Sequence, residues 1–378
     1  MLSRPSETAL LFHLSGLGDT LFFLPALAAW RRARPGLRVT ALTMFPAVRD
    51  LLRHSPLVDE VIHREYERDF FGGSKLASLR FFAGLRTRRF GCGIVPYGSN
   101  RLEYNVANFL AVGGEGVRLG HRYRKHPLRN FDFLNTLHVP QRSDLHAVEA
   151  NVELLVSAGL IGADAATAWP AEALHIPEAA RERAEVLLSV SGRPFAGGHR
   201  HRLLVGVHAG SNAIKNQANK CYPPLLLAEA LRAVAAVRPE VFFLLFEGEA
   251  DRERTEAVAG ALPEGLYRRV RPADILECAA CLDGCAAFVA NDSGLLHLAA
   301  FRGLPCVGIF GPTSAVYARP WGVPHRVVSA GLPCQPCFEF SSRPLACVAG
   351  IDFACVRHAL PPARVAAALG ELAREVGF

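Results

Sequence analysis

The 378-residue sequence has no low-complexity segment and no extended lysine or arginine tract. A nucleic-acid-binding protein, which needs a concentrated basic surface, is therefore not predicted. Half of the residues are hydrophobic, which excludes a disordered chain, and 378 residues are enough for two domains of ordinary size. The formal net charge of +7 favours an anionic partner, and nucleotides, phosphorylated glycans and membrane surfaces all have the required charge.

The apolar stretch at residues 10–30 has neither a basic region before it nor a small-residue cleavage site. It also carries Asp19 at its centre, flanked by glycines, where a charge would be costly in hydrocarbon. Signal peptides and membrane spans are therefore not predicted, and a strand, a glycine-rich turn and a helix account better for this stretch. We expect a cytoplasmic protein, with at most peripheral contact to the inner membrane.

Apolar runs alternate with segments of helical period along nearly the whole chain. The predicted strands are ALLFHL, RVTALT, VDEVIH and GCGIVPY, then LLVGVHAG, VFFLLFEG, AAFVAN and CVGIFG. This alternation predicts an α/β fold with parallel sheets. We expect a domain over 1–185, one helix over 168–190, a second domain over 186–378 and a terminal helix over 361–376. Each block opens with a strand, a small-residue loop and a helix, which predicts two Rossmann-like domains facing a central cleft.

The first small-residue loop, SGLGDT, lacks the GxGxxG spacing of a dinucleotide site. Asp19 follows Gly16 and Gly18 at the predicted start of a helix. From the residues alone, a helix N-cap is favoured over a general base, because Asp is a preferred cap.

The second loop, HAGSNAIKNQANKCYPP, lacks the spacing of a Walker A motif. Its backbone N–H groups and the Ser211 hydroxyl predict an anion site, for which Lys215 or Lys220 would supply a cation. A polar connection with solvated lysines is the alternative.

Acidic residues follow the apolar run VFFLLF. Glu247, Glu249 and Asp251 lie where a parallel sheet would hold a nucleotide ribose. They are equally typical of the first turn of a helix, where the dipole favours acids.

The stretch NDSGLLHLAA places polar groups between two apolar runs. Asp292 would contact sugar hydroxyls, and the N–H groups beginning at Gly294 and Leu295 would bind a diphosphate, with Ser293 and His297 beside them. A capped helix with a surface histidine is the alternative.

Ten cysteines in a cytoplasmic chain do not predict a disulfide scaffold. Three of them share one face of an apolar helix and are expected in the core, namely Cys278, Cys281 and Cys285. Four others fall in the turn-rich segment 334–355 and predict a structural iron or zinc site, with structural thiols or a redox disulfide as alternatives, namely Cys334, Cys337, Cys347 and Cys355.

These stretches together resemble the ADP-heptose:lipopolysaccharide heptosyltransferase family over most of the chain. The resemblance rests, in order, on SGLGDTLFFLPAL, HAGSNAIKNQANKCYPP, FEGEADRE and NDSGLLHLAAFRGLPCVGIFGPT. It implies a GT-B fold, with the acceptor mainly on the first domain and the nucleotide sugar mainly on the second. It also implies an inverting transfer that needs no catalytic metal.

The resemblance also implies roles for single residues. Asp19 matches the base that deprotonates the acceptor hydroxyl, and Lys220 matches the lysine that compensates charge on the leaving diphosphate. Asp292 matches the sugar-contacting acid. The remaining donor-binding positions are those at the ribose, Glu249 or Asp251, and those at the phosphates, namely Ser211, Ser293, Gly294, Leu295 and His297.

Three features set this chain apart from the common pattern. Cys221 follows the lysine, and Tyr222 stands where the family commonly has Trp. The cysteine-rich segment resembles the branch with protein heptosyltransferases that bind iron through four cysteines. The basic segment 116–129 suits recognition of an anionic acceptor, although a solvated loop is the default expectation.

We therefore predict a transferase that moves heptose from ADP-heptose to a glycan such as the lipopolysaccharide core. The alternatives are a protein Ser/Thr or small-molecule acceptor and, from another class, a non-catalytic nucleotide-binding scaffold.

Overall fold

The computed structural model describes residues 7–65, 74–122, 130–189, 203–211, 214–338 and 344–377. The chain divides into two compact units, Met1–His175 and Ile176–Phe378. Each unit contains one sheet of six strands, and every strand pair in both sheets is parallel. The prediction of an α/β fold with two Rossmann-like units is confirmed.

The sheet of the first unit has the order β3-β2-β1-β4-β5-β6. Its strands are β1 (Thr8–His13), β2 (Arg38–Thr43), β3 (Glu60–His63), β4 (Cys92–Ile94), β5 (Val117–Arg122) and β6 (Leu137–Pro140). The connecting helices are α1 (Leu17–Leu21), α2 (Leu24–Ala33), α3 (Pro46–Arg53), α4 (Lys75–Leu85), α5 (Leu102–Val112) and α6 (Ala147–Ser157). From β1 the chain adds β2 and β3 on one side of the sheet, and then β4, β5 and β6 on the other side. The switch point therefore lies between β1 and β4, and ligands of such sheets bind at that point.

The second unit repeats this topology with the order β12-β11-β10-β7-β8-β9. Its strands are β7 (Leu203–His208), β8 (Val241–Phe246), β9 (Tyr267–Val270), β10 (Ala287–Asn291), β11 (Cys306–Ile309) and β12 (His325–Val328). Its helices are α7 (Glu178–Leu188), α8 (Pro224–Val237), α9 (Arg252–Gly260), α10 (Ile275–Asp283), α11 (Gly294–Phe301), α12 (Ala315–Ala318), α13 (Ala354–Arg357) and α14 (Pro362–Val376). Its switch point lies between β7 and β10.

Both sheets are covered by helices, which explains why their central strands are almost wholly apolar. All six residues of β8, VFFLLF, are buried. On one face of the second sheet, α8 and α14 pack together over a core that includes Phe243, Tyr222 and Leu372. Proline at the first turn starts both helices, because its missing N–H would be unsatisfied there in any residue.

The segment that links the two units differs from the single helix that the sequence predicts. Residues 168–190 are not one helix: a 3₁₀ turn covers Ala171–Ala173, and α7 begins only after Pro177. Because α7 packs against α10, it belongs to the second unit, and the division falls at His175/Ile176, before the expected position after residue 185.

The basic segment 116–129 is not a solvated loop at its start, because Val117–Arg122 is the strand β5, largely buried between β4 and β6. Residues 123–129 and the glycine-rich loop expected over 191–201 lie outside the described residues. Among the described helices, none combines the length and apolar character needed to cross a membrane.

Candidate functional site

Two loops meet at the switch point of the second unit, one after β7 and one after β10. The Asn291 side chain joins them, because its Nδ2 donates to the carbonyl oxygens of Ala209 (2.9 Å) and Gly210 (3.3 Å). Its Oδ1 accepts from the Tyr222 N–H at 2.8 Å. The Ser211 hydroxyl donates to the Asp292 carbonyl oxygen at 3.3 Å. Asn291 therefore fixes the positions of the side chains on both loops.

Lys220, Asp292 and His297 form a buried charged group at this point. The Lys220 Nζ lies 2.8 Å from Asp292 Oδ2, and His297 Nε2 lies 3.3 Å from Asp292 Oδ1. Burial by itself raises the pKa of Asp292, but the Lys220 ammonium and the hydrogen bonds from His297 and Lys220 outweigh it and hold that pKa well below its usual range. The carboxylate is therefore ionised at neutral pH and accepts from both neighbours.

Asp251 lies beside this group and is held by His208. His208 Nε2 is 2.9 Å from Asp251 Oδ2, and His208 Nδ1 is 3.3 Å from the Ser293 hydroxyl. A Cβ atom on Gly210 would come within 1.8 Å of Asp251 Oδ1, so only glycine leaves room for this carboxylate. Neither His208 nor Gly210 was predicted as a site residue, although a histidine at the end of a buried strand is a signal that the sequence contains.

The first turn of α11 is not capped by a side chain. Ser293 is the N-cap residue, yet its hydroxyl makes no capping hydrogen bond. Gly294 and Leu295, the first two helical residues, are only partly buried. Backbone N–H groups at such a helix start are oriented to bind an anion.

The other two acids after β8 have different surroundings. Glu247 is buried, and its carboxylate lies 2.7 Å from both Arg269 and Arg271 and 3.8 Å from Arg252. Glu249 is exposed. The structure thus brings Asp251, and neither of these two, into the group around His208.

In the first unit, Asp19 lies at the switch point between β1 and β4. The N-cap of α1 is Gly16, so Asp19 is not the cap and stands in the first turn instead. Its carboxyl group packs against Gly98 in the loop after β4, where a Cβ atom would come within 2.3 Å of Asp19 Cγ. The neighbouring Ser99 hydroxyl donates to the Ser15 hydroxyl at 2.9 Å, which ties the two loops together.

Two of the four cysteines of the segment 334–355 belong to a small apolar cluster: Cys355 is buried in it with Leu345, Phe353 and Val356, and Cys347 packs against it. Burial, reinforced by the neighbouring thiols, raises the pKa of Cys355 to about 11. Backbone N–H groups of Phe353, Ile351, Ala349 and Gly350 lower the pKa of Cys347.

Within the described ranges, no three or more His, Cys, Asp or Glu side chains are grouped so as to hold a metal ion. The iron or zinc site at Cys334, Cys337, Cys347 and Cys355 therefore stays a prediction.

Comparison with known proteins yields one family model and several related structures. The model of glycosyltransferase family 9 (heptosyltransferase) matches residues 79–346. Lipooligosaccharide heptosyltransferase 2 of Haemophilus influenzae is 35% identical over 80 residues, which cover 20% of this chain and only 23% of that relative.

Two solved structures share the fold at low identity. The ADP-heptose LPS heptosyltransferase II of E. coli has a TM-score of 0.67 at 18% identity, covering 98% of this chain and all of that one (100%). The iron-containing dodecameric glycosyltransferase TibC from enterotoxigenic E. coli has a TM-score of 0.52 at 14% identity, covering 98% of this chain and 76% of that one. The fold is that of the GT-B glycosyltransferases.

Proposed function

The chain belongs to glycosyltransferase family 9, the heptosyltransferases, and from this we propose that it transfers heptose from ADP-heptose to a hydroxyl of a glycan such as the lipopolysaccharide core, inverting the anomeric centre. The observation that carries the proposal is the buried group of Lys220, Asp292 and His297 beside the uncapped start of α11. The likeness to an LPS heptosyltransferase and to a lipooligosaccharide heptosyltransferase supports the choice of acceptor.

The second unit contains groups that would suit such a donor. The N–H groups at Gly294 and Leu295, with Ser293 and Ser211, would bind the diphosphate. Asp251 would accept from the ribose hydroxyls, and Asp292 from hydroxyls of the heptose. Glu249, the other ribose candidate, is less suited because it is exposed and lies outside this group.

The reaction forms one bond at the anomeric carbon and breaks another. The acceptor oxygen attacks that carbon, the bond to the β-phosphate oxygen breaks, and ADP leaves with the electron pair. Negative charge grows on the diphosphate during this step, so the Lys220 ammonium and the N–H groups stabilise the transition state more than the ground state. Asp292 keeps Lys220 positioned for this task, since their atoms lie 2.8 Å apart.

Asp19 is the proposed general base. The acceptor hydroxyl loses its proton as it attacks, and the Asp19 carboxylate takes that proton. Its position at the switch point of the first unit and the room left by Gly98 support this role. No step uses a metal, because the ammonium and the N–H groups carry the charge compensation.

A peripheral membrane contact at the cytoplasmic face of the inner membrane fits a lipid-linked acceptor. The segment 74–89 contains five basic residues and no acidic one. On α4, Leu76 and Leu79 are 54% and 46% exposed. Exposed leucines among basic side chains favour an anionic lipid surface, because the chains insert while the charges bind headgroups.

A donor and acceptor screen tests the proposal. Release of ADP from ADP-heptose, with a mass increase of one heptose on the acceptor, is the expected result for a glycan. The same mass increase on a peptide Ser/Thr or a small molecule would establish the alternative acceptor class. ADP binding in calorimetry without ADP release for any acceptor would instead identify a nucleotide-binding scaffold.

A further inference from the structure

His208 connects two helix starts through the two nitrogens of one ring. It ends β7 and is buried at the switch point. Its Nε2 bonds Asp251 (2.9 Å), the N-cap residue of α9, and its Nδ1 bonds Ser293 (3.3 Å), the N-cap residue of α11. Asp and Ser are preferred cap residues, yet neither side chain caps its own helix here.

The same residue types do cap other helices of the second unit. Asp274 accepts from the N–H groups of Leu276 (2.9 Å) and Glu277 (2.8 Å) at the start of α10. Ser314 accepts from Tyr317 at 3.4 Å at the start of α12. At α9 and α11, by contrast, the N-cap side chains bond to His208 and not to the N–H groups of their own helices.

The two bonds assign roles to the ring nitrogens. A carboxylate only accepts hydrogen bonds, so Nε2–H donates to Asp251 and, in the neutral ring, Nδ1 accepts from the Ser293 hydroxyl. Gly210 bounds the other side of the Asp251 carboxylate, near Oδ1. The carboxylate is thus confined between a ring and a glycine, with one oxygen already bonded.

We infer that His208 is a positioning residue for the nucleotide: it orients Asp251 toward the ribose and keeps the Ser293 hydroxyl from capping α11. This inference rests on the proposed function, because it assumes a nucleotide donor. Without His208, Asp251 would turn to cap α9, and Ser293 would compete with the diphosphate for the N–H groups of α11.

Two substitutions separate the two bonds. In His208→Asn the amide extends from the backbone only as far as Nδ1 does, so it can still bond Ser293. In His208→Gln the longer side chain extends as far as Nε2 does, so its amide can still donate to Asp251. The probes are ADP, 2′-deoxy-ADP and 3′-deoxy-ADP, with dissociation constants from titration calorimetry. Loss of a hydrogen bond to a charged group predicts a wild-type preference for ADP of about tenfold over at least one deoxy analogue.

His208→Asn should reduce this preference to less than about twofold, since the ribose hydroxyl no longer finds an oriented acceptor. His208→Gln should keep the preference while weakening ADP and its analogues equally. Gly210→Ala, which displaces Asp251 with His208 intact, should lose the preference as His208→Asn does. His325→Gln is the matched control, because His325 is a partly buried histidine of the same unit bonded to its own backbone at Val323.

The inference is wrong if wild type shows no preference for ADP, or if His208→Asn lowers all affinities while keeping the ratio, as a purely structural defect would. In either case an enzyme that still transfers heptose leaves the proposed function intact. Failure of wild type to bind ADP would overturn both.

Discussion

At the scale of single residues, several side chains of the candidate site do not make the contacts, or do not have the exposure to solvent, that their residue types usually show. The side chains of Ser293 and Asp251 do not cap α11 and α9, although such a cap would stabilise a helix by about 1 kcal/mol. Lys220 and Asp292 are both largely buried and stabilise each other's charge. Residues that depart from local rules without an evident structural gain are typical of functional positions.

Asp19→Asn is the residue-scale test of the proposed base. The amide cannot take the acceptor proton, so turnover should fall about a hundredfold or more, while calorimetry should give an ADP affinity near that of wild type. Asp144→Asn is a suitable control, because Asp144 is an exposed acid of the same unit paired with Arg142 at 2.6 Å. Turnover of Asp19→Asn equal to that of the control would remove Asp19 from the mechanism.

At the scale of elements, the sequence was informative where one physical signal dominated. The runs VFFLLF and AAFVAN predict β8 and β10 because both strands are buried on two faces. β5 was missed because Arg118 and His121 make it resemble a surface loop. In the fold, Arg118 donates to the carbonyls of Gly113 and Leu134, and His121 bonds that of Ala150, contacts that local sequence does not reveal.

The pairing of candidate site residues was harder to predict than their positions. Asp292 and Lys220 were expected near a donor because each follows a strand or a small-residue loop, but their contact spans 72 positions of sequence. The His208 contacts with Asp251 and Ser293 depend on the strand order β10-β7-β8. The cysteine spacing predicts a metal site, and it stays a prediction, because spacing alone does not specify side-chain directions and no group of three or more candidate ligands is found among the described residues.

The helix α4 offers an element-scale prediction. Leu76→Ser with Leu79→Ser should reduce co-sedimentation with vesicles containing phosphatidylglycerol severalfold, since two exposed apolar side chains no longer insert. Vesicles of phosphatidylcholine alone should bind wild type weakly, because they lack the anionic charge.

Val237→Ser is the control for these leucines, because Val237 is 75% exposed but lies on α8 of the second unit. If the double variant and this control co-sediment equally with anionic vesicles, α4 is not the docking surface. If heparin, a soluble polyanion, displaced wild type and the double variant from these vesicles equally well, charge alone would account for the binding.

At the scale of the whole molecule, two buried histidines make the first unit sensitive to acid. Burial lowers the pKa of His13 from 6.5 to about 3, and that of His121 to about 4. Below pH 6.5 the unfolded chain binds protons at these positions and the folded chain does not. The contribution of these histidines to the free energy of unfolding is therefore complete above this pH, and it is lost progressively as the pH falls toward their lower pKa values in the folded chain.

Because buried His13 stays neutral, it alone should make the free energy of unfolding about 2 kcal/mol lower at pH 5 than at pH 7. Urea unfolding of wild type and His13→Leu at pH 7, 6 and 5 measures this cost, with a probe in the first unit such as Trp30 fluorescence. The variant should lose less stability over this range. A parallel decline in both proteins would show that His13 is not protonated on unfolding in this window.

The contacts of Gly98 with Asp19 and of Gly210 with Asp251 have a consequence for mutational scanning. In each unit a glycine at the switch point leaves no space for even one methyl group beside a carboxylate. A saturation library selected for activity should therefore be depleted of every substitution at these two codons, alanine included. Glycines with open surroundings, such as Gly16 and Gly260, should accept alanine in the same library. The pattern would locate the candidate residues of each unit in a genetic experiment that uses no purified substrate.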